Sequence, residues 1–277
     1  MTTIKITKMH GCGNDFVFMD YDEYKKTGLE LDELAKKLCD RHFGIGADGL
    51  IIPFPKDGTT DIAWEYYNSD GTSAQMCGNG MRCFARYVYD NGLVDKKSFT
   101  VKTRAGIIKP EILENGNIKV NMGNPILEEN LVPFKGEKLI TINSEKFEIN
   151  PISMGNPHCV IFTQENTLEM AKKFGPELEK HPYFPEKTNV EFVRIINRNE
   201  IEMSVFERGC GITLACGTGA CASVVASVLN NLTENNVKVN LLGGAVNVEW
   251  QGNKANAQKN VFLTGPAQYT FKAEYML

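Results

Sequence analysis

A cysteine followed at once by a glycine-rich turn and a helical pattern occurs twice, as Cys77-Gly78-Asn79-Gly80 and as Cys216-Gly217-Thr218-Gly219. Behind the first, Met81, Phe84, Ala85 and Val88 recur at helical spacing; behind the second, Ala220, Cys221, Val224, Val225 and Val228 do the same. Other landmarks repeat with them. Gly13-Asn14 is answered by Gly155-Asn156, the helical segment 33–38 by 169–174, and the strand pattern ending at Asn68 by 201–206 with Glu207 after it. The offsets run from 136 to 142 residues and the order is kept, so one supersecondary plan is used twice.

Each half holds several short strands and two helices. Alternating runs predict strands at 4–8, 16–19, 50–52 and 62–67, a helix over 31–42, and three short strands over 97–122. Strands this short, bounded by Gly, Asn and Pro, predict a curled, mostly antiparallel sheet around the second, largely apolar helix of each half. The class is α+β. Gly123-Asn124-Pro125 breaks the pattern, giving domains 1–123, with Cys77, and 124–265, with Cys216. The tail 266–277 is a candidate to join the first half, although composition does not decide. Two such halves are expected to face each other across a ligand-binding cleft.

A glycine-rich turn at a helix start leaves backbone N–H groups unpaired at the positive end of the helix dipole. Such a start binds anions and lowers the pKa of a nearby thiol. Two of them can hold one carboxylate and place a thiol on each face of the attached carbon. One thiolate then removes a proton and the opposite thiol returns one, which inverts the centre. An amino-acid Cα–H is a far weaker acid than a thiol, so carbanion charge must be stabilised as it moves onto the carboxylate. Preorganised N–H donors supply about 3 kcal/mol each. A free thiol titrates near 8.5, so at least one of the pair is expected to be shifted downward.

Composition excludes other classes. The net charge is −4 with no basic stripe, which argues against nucleic acid. No apolar run reaches the roughly 18 residues of a membrane span, and the start Met1-Thr2-Thr3-Ile4-Lys5 lacks a signal-peptide pattern. A cytoplasmic protein is expected. The eight cysteines contain no Cys-x-x-Cys pair, and no His spacing completes a zinc set, so neither metal nor cofactor is expected. Cys12 and Cys210 lack the following helix start and read as packing residues.

The chain resembles the diaminopimelate epimerase family over nearly its whole length. The resemblance is carried by Lys8-Met9-His10-Gly11-Cys12-Gly13-Asn14-Asp15-Phe16, Gly44-Ile45-Gly46-Ala47-Asp48-Gly49, Asn68-Ser69-Asp70-Gly71 and Met76-Cys77-Gly78-Asn79-Gly80-Met81-Arg82-Cys83. It continues in Met154-Gly155-Asn156-Pro157-His158, Thr188-Asn189-Val190, Glu207-Arg208-Gly209 and Ala215-Cys216-Gly217-Thr218-Gly219-Ala220-Cys221. It implies a cofactor-independent isomerase that interconverts LL- and meso-2,6-diaminopimelate in lysine and peptidoglycan-precursor synthesis, with two similar domains, usually as a homodimer. It implies Cys77 and Cys216 as the acid/base pair, and Asn14, Asn68, Gly78, Asn79, Asn156, Asn189, Glu207, Arg208, Gly217 and Thr218 as substrate contacts. His158 and Glu207 match residues that influence the cysteine pKa values. Two departures stand out. Ile212 occupies a position where many members carry Glu, and Gly49 one where some carry Gln.

Two competitors fit part of the pattern. A proline or hydroxyproline racemase shares the two-cysteine design, but its substrate has no second carboxylate for Arg208. A redox or metal-binding thiol protein is permitted by eight cysteines but leaves the repeat unexplained.

Overall fold

The structure is a computed structural model that describes residues 2–56, 58–128 and 131–277. In chain order its elements are β1 (Thr3–Gly11), β2 (Asn14–Phe18), α1 (Tyr21–Thr27), α2 (Leu31–Cys39), β3 (Gly49–Phe54), β4 (Ile62–Asn68), α3 (Gly78–Asp90), β5 (Val101–Thr103), β6 (Gly106–Ile108), β7 (Glu111–Ile112) and β8 (Ile118–Asn121). There follow β9 (Leu139–Ile142), β10 (Glu145–Glu148), β11 (Asn150–Ser153), β12 (Pro157–Phe162), α4 (Thr167–Glu179), β13 (Asn189–Asn197), β14 (Glu200–Glu207), β15 (Gly211–Ile212), α5 (Gly217–Leu229), β16 (Asn236–Leu241), β17 (Gly244–Trp250), β18 (Val261–Gly265) and β19 (Gln268–Met276). They form two compact units: residues up to Val120 together with Gly265–Leu277, and Asn121–Thr264.

The first unit is built on a sheet of order β19-β1-β2-β3-β4-β5-β6. β1 and β2 form a hairpin whose connecting residues, Cys12 and Gly13, have φ of 55° and 84°. Two successive left-handed residues are what a tight hairpin turn requires, and they leave Asn14 at the strand start. On one face of the sheet, Leu34, Ala35 and Leu38 of α2 cluster with Ile4, Ile6, Val17, Leu50 and Ile52. The alternate residues face α3: Tyr87 stacks on Phe18 at 5.0 Å and Phe84 meets Trp64 edge-on at 5.6 Å. The tail joins this unit as β19, which pairs antiparallel with β1. The buried Arg82 of α3 donates from Nε to the Pro266 carbonyl at 3.1 Å.

The second unit repeats the plan. Its sheet runs β11-β12-β13-β14-β16-β17-β18, with β15 on β14 and β9–β10 as a separate hairpin. Ala171, Phe174 and Leu178 of α4 pack with Cys159, Ile161, Val190 and Phe192 on one face, and Phe147 of β10 joins them. α5 covers the other face, against β11 to β14, β16 and β17. Each sheet is mostly antiparallel with two parallel pairs, β2–β3 and β4–β5 in the first, β12–β13 and β14–β16 in the second. These fall at corresponding places in the repeat. The helices α3 and α5 have 13 residues each. Both end at an Asn, Asn91 or Asn230, whose amide reaches back to the carbonyl four residues earlier at 2.8 Å.

Three local expectations change. The expected helix over 31–42 stops at Cys39, because Asp40 turns its carboxylate onto the N–H groups of His42 and Phe43, each at 2.7 Å. α1 precedes it unannounced, since none of its residues is buried and its period carries no apolar stripe. The stretch 97–122 holds four very short strands where three were expected.

Candidate active site

Cys77 and Cys216 are the N-cap residues of α3 and α5. Each has extended backbone, and each sulfur accepts from the N–H three residues on, Gly80 or Gly219, at 3.4 Å. A cap position usually carries Ser, Thr, Asp or Asn. Here a thiol takes the role, so the first free N–H groups of the helix are shared between the sulfur and any anion set beside it.

Around Cys77 the polar residues interlock. Asn14 accepts at Oδ1 from the Cys77 thiol at 3.6 Å and from Asn79 Nδ2 at 3.1 Å. Its Nδ2 donates to Asp48 Oδ2 at 2.6 Å. Asp48 is held by Arg41 at 2.7 Å, and Arg41 also reaches Asp15, which Lys8 contacts at 2.9 Å. Burial pushes the Asp15 carboxyl up, but Arg41 and Lys8 outweigh it and hold it below the usual carboxylate range. Gly78 and Asn79 form the first turn of α3 and are buried. Asn68 stands at the end of β4, with Nδ2 on the Thr72 hydroxyl at 3.0 Å. Gly49 is tightly lined: an added Cβ would lie 2.6 Å from the Tyr66 ring and 2.7 Å from the Tyr67 carbonyl, which accounts for the absence of a longer side chain there.

Around Cys216 the partners differ. Thr218 Oγ1 lies 3.6 Å from the sulfur and accepts from Asn156 Nδ2 at 3.3 Å. Asn156 Oδ1 faces His158 Nε2 at 3.1 Å, and His158 Nδ1 faces Glu191 at 2.7 Å; His158 and Glu191 are both fully buried. Glu207 accepts a short hydrogen bond from the Thr213 hydroxyl. Asn189 is enclosed, with Nδ2 donating to the Pro157 carbonyl at 2.9 Å and Oδ1 accepting from the Arg208 N–H at 3.0 Å. That bond turns the chain outward at Arg208, whose guanidinium is exposed and donates to the Glu186 carbonyl at 3.1 Å. Ile212 packs against the α4 cluster.

The downward shift expected of at least one of the two thiols is not found at Cys216. Burial pushes this thiol well up, and the charges of Glu207 and Glu191 push it further, while the Thr218 hydroxyl and the Gly219 N–H pull it back less. Burial also drives the thiols of Cys39 and Cys83 up to about 12 and pushes that of Cys159 well up, so these are packing residues. Cys12 is buried, but Cys210 is exposed at the turn after β14, and the packing role expected for it does not hold. Glu191, Thr213 and Asp48 were not singled out as site residues. The signals available were the glycine-rich run 44–49, which contains Asp48, and the strand period, which sets Glu191 on the same face as Asn189.

Among the described residues no group of three or more His, Cys, Asp or Glu is placed to hold a metal, and no helix is long and apolar enough to cross a membrane.

The family model and the sequence relatives agree on one family. A family model described as diaminopimelate epimerase matches residues 6–128 and 151–270. The chain is 46% identical to the diaminopimelate epimerase of Desulfitobacterium hafniense, over 97% of each chain. It is 44% identical to that of Heliobacterium modesticaldum, over 99% of this chain and 100% of the other. Among solved structures it is similar to a Bacillus anthracis phenazine biosynthesis protein of the PhzF family (TM-score 0.72, 17% identity, all of both chains). It is also similar to a hydroxyproline epimerase from Agrobacterium vitis (TM-score 0.68, 13% identity, 99% of this chain and 93% of that one). Likeness at these identities concerns the two-domain α+β fold alone.

Proposed function

The chain belongs to the diaminopimelate epimerase family, and from that premise we propose that it interconverts LL- and meso-2,6-diaminopimelate by two-base proton transfer. The observation that carries this reading is the pair of cysteine-capped helices, one in each unit. Cys77 and Cys216 are the acid and base on opposite faces of the α-carbon. The turns Gly78-Asn79 and Gly217-Thr218 offer N–H groups to the reacting carboxylate, where negative charge grows in the transition state. Asn14, Asn68 and Asn156 read the ammonium groups and carboxylates, since an amide both donates and accepts. The exposed Arg208 guanidinium suits the distal carboxylate through a bidentate pair. Asn189 contributes by holding the backbone of Arg208. Glu207 and His158 tune the thiols. Burial and two carboxylates push the Cys216 thiol up, which favours its protonated form.

In this reading the reaction uses no cofactor, and the carboxylate cradles take the developing charge. The protein works in the cytoplasm, as a homodimer, on a small-molecule substrate, with no nucleic-acid or membrane partner. The domains are the repeat halves, with the tail completing the first.

Incubation with LL-diaminopimelate in D₂O is expected to give meso product carrying deuterium at the inverted carbon. Cys77→Ala and Cys216→Ala are each expected to abolish product formation with melting temperature unchanged within a few degrees. Near wild-type turnover by either variant would remove the two-base reading. Turnover of proline isomers in place of diaminopimelate would move the chain to the competing substrate class.

A further inference from the structure

Glu191 lies outside the residues assigned above, yet it is fully buried beside Cys216. β12 and β13 run parallel, with His158 opposite Asn189 and Val160 opposite Glu191, so these four residues share the face that α5 covers. From Glu191 a continuous polar chain leads to the sulfur. Oε1 is 2.7 Å from His158 Nδ1, Nε2 is 3.1 Å from Asn156 Oδ1, Asn156 Nδ2 donates to Thr218 Oγ1 at 3.3 Å, and that oxygen is 3.6 Å from Cys216 Sγ.

Each link constrains the next. An amide oxygen only accepts, so His158 Nε2 must carry a hydrogen. A carboxyl group at Nδ1 is the partner that permits this. One proton lies between Oε1 and Nδ1, and whichever atom holds it, Nε2 keeps its own. The Asn156 amide is thereby turned with its nitrogen toward Thr218. In the first unit the corresponding amide is turned the other way. Asn14 Nδ2 faces the Asp48 carboxylate, which only accepts, and Oδ1 faces Asn79 and the Cys77 thiol. The group behind each Asn decides which end of the amide meets the cysteine turn.

We propose that Glu191 is a positioning residue of the Cys216 half-site: by holding the His158 ring with its Nε2 hydrogen toward Asn156, it fixes the amide that aims the Thr218 hydroxyl hydrogen at the Cys216 sulfur. A purely structural role fits poorly. Glu191 Oε2 is buried without a hydrogen-bond partner among the described residues. A buried carboxyl with one bare oxygen lowers stability relative to an apolar residue of the same volume. The helix above has also made room for it: a Cβ on Gly219 would lie 2.7 Å from Glu191 Oε1 and 3.2 Å from the Cys216 sulfur.

The inference rests on Cys216 acting as an acid/base group, and the test separates the two. The charges acting on that sulfur are Glu207 from β14 and Glu191 from β13, with His158 of β12 between Glu191 and Asn156. Glu191→Asp keeps the carboxyl group and withdraws it from Nδ1. Expected is a kcat lower by about 10-fold or more with KM within about 2-fold. The pH midpoint for alkylation of Cys216 by iodoacetamide, read by peptide mapping, should move upward as the hydroxyl donor is lost. In an Asn156→Ala background the same substitution should change kcat little, because the path is already cut. Wild-type kcat and midpoint in Glu191→Asp, or a loss that adds in full to that of Asn156→Ala, would overturn the proposal. If Glu191→Asp does not fold, Glu191→Leu decides through the same cycle. A non-additive loss supports the proposal, and an additive or absent loss sinks it. A protein that never turns over diaminopimelate removes the functional reading, while the alkylation midpoints still decide the role of Glu191.

Discussion

At the scale of single residues, Glu207 shows what a functional group does to stability. Burial pushes its carboxyl above the ordinary value, more than the Thr213 hydroxyl bond pulls it down, and the Glu191 charge adds to the rise. Below about pH 4 the group is protonated both folded and unfolded, and the shift has no effect. Above that, the unfolded chain ionises first and is favoured, so the folded state loses stability until pH passes the raised folded value. Glu207→Gln is therefore expected to raise the melting temperature at pH 8 while leaving it unchanged near pH 3.5, with activity lost. A melting gain of equal size at both pH values would contradict this account. The sequence exposed the motif residues themselves but not their partners. Asp48 lies inside the glycine-rich run 44–49, but that run does not name its partner Asn14; Thr213 and Glu191 carry no helix-start signal, and the contacts of all three depend on how neighbouring strands and turns come together.

Among the elements, α3 and α5 were the most legible, because each joins a glycine-rich start to an apolar stripe. The parallel pairs were not, since strand direction depends on crossovers rather than local pattern. α1 was invisible for want of a buried face. The two helix starts also differ where the repeat makes them look alike. A Cβ at Gly80 would meet the end of Ile51 at 3.0 Å, a flexible side-chain tip, and the Cys77 Cβ at an ordinary 3.5 Å. A Cβ at Gly219 would meet Glu191 Oε1 at 2.7 Å. In both places Ala brings up to about 1 kcal/mol of helix propensity. Gly80→Ala is expected to melt within a few degrees of wild type and to keep measurable turnover. Gly219→Ala is expected to lose about 100-fold or more in kcat, because it displaces Glu191 or the sulfur. Equal losses in the two variants would mean that the contacts beneath the helices are not what distinguishes them.

For the whole molecule, the repeat was readable as two halves, but the last strand was not assignable from composition. It is fixed by β1, which buries Ile4, Ile6 and Met9 and pairs with β19 along nearly its whole length. Deleting Gln268–Leu277 should therefore open the first unit selectively. Hydrogen exchange is expected to accelerate in β1, β2 and α3, while β12 to β14 and α5 remain protected. Uniform acceleration through both sheets would refute that division. The same strand order bears on how the protein is made. A ribosome delivers β1 before its partner β19, with the residues of the second unit emerging in between. The second unit can finish folding on the nascent chain. The first must wait, one sheet edge bare, until β19 has emerged, so the half that starts first is completed after the other.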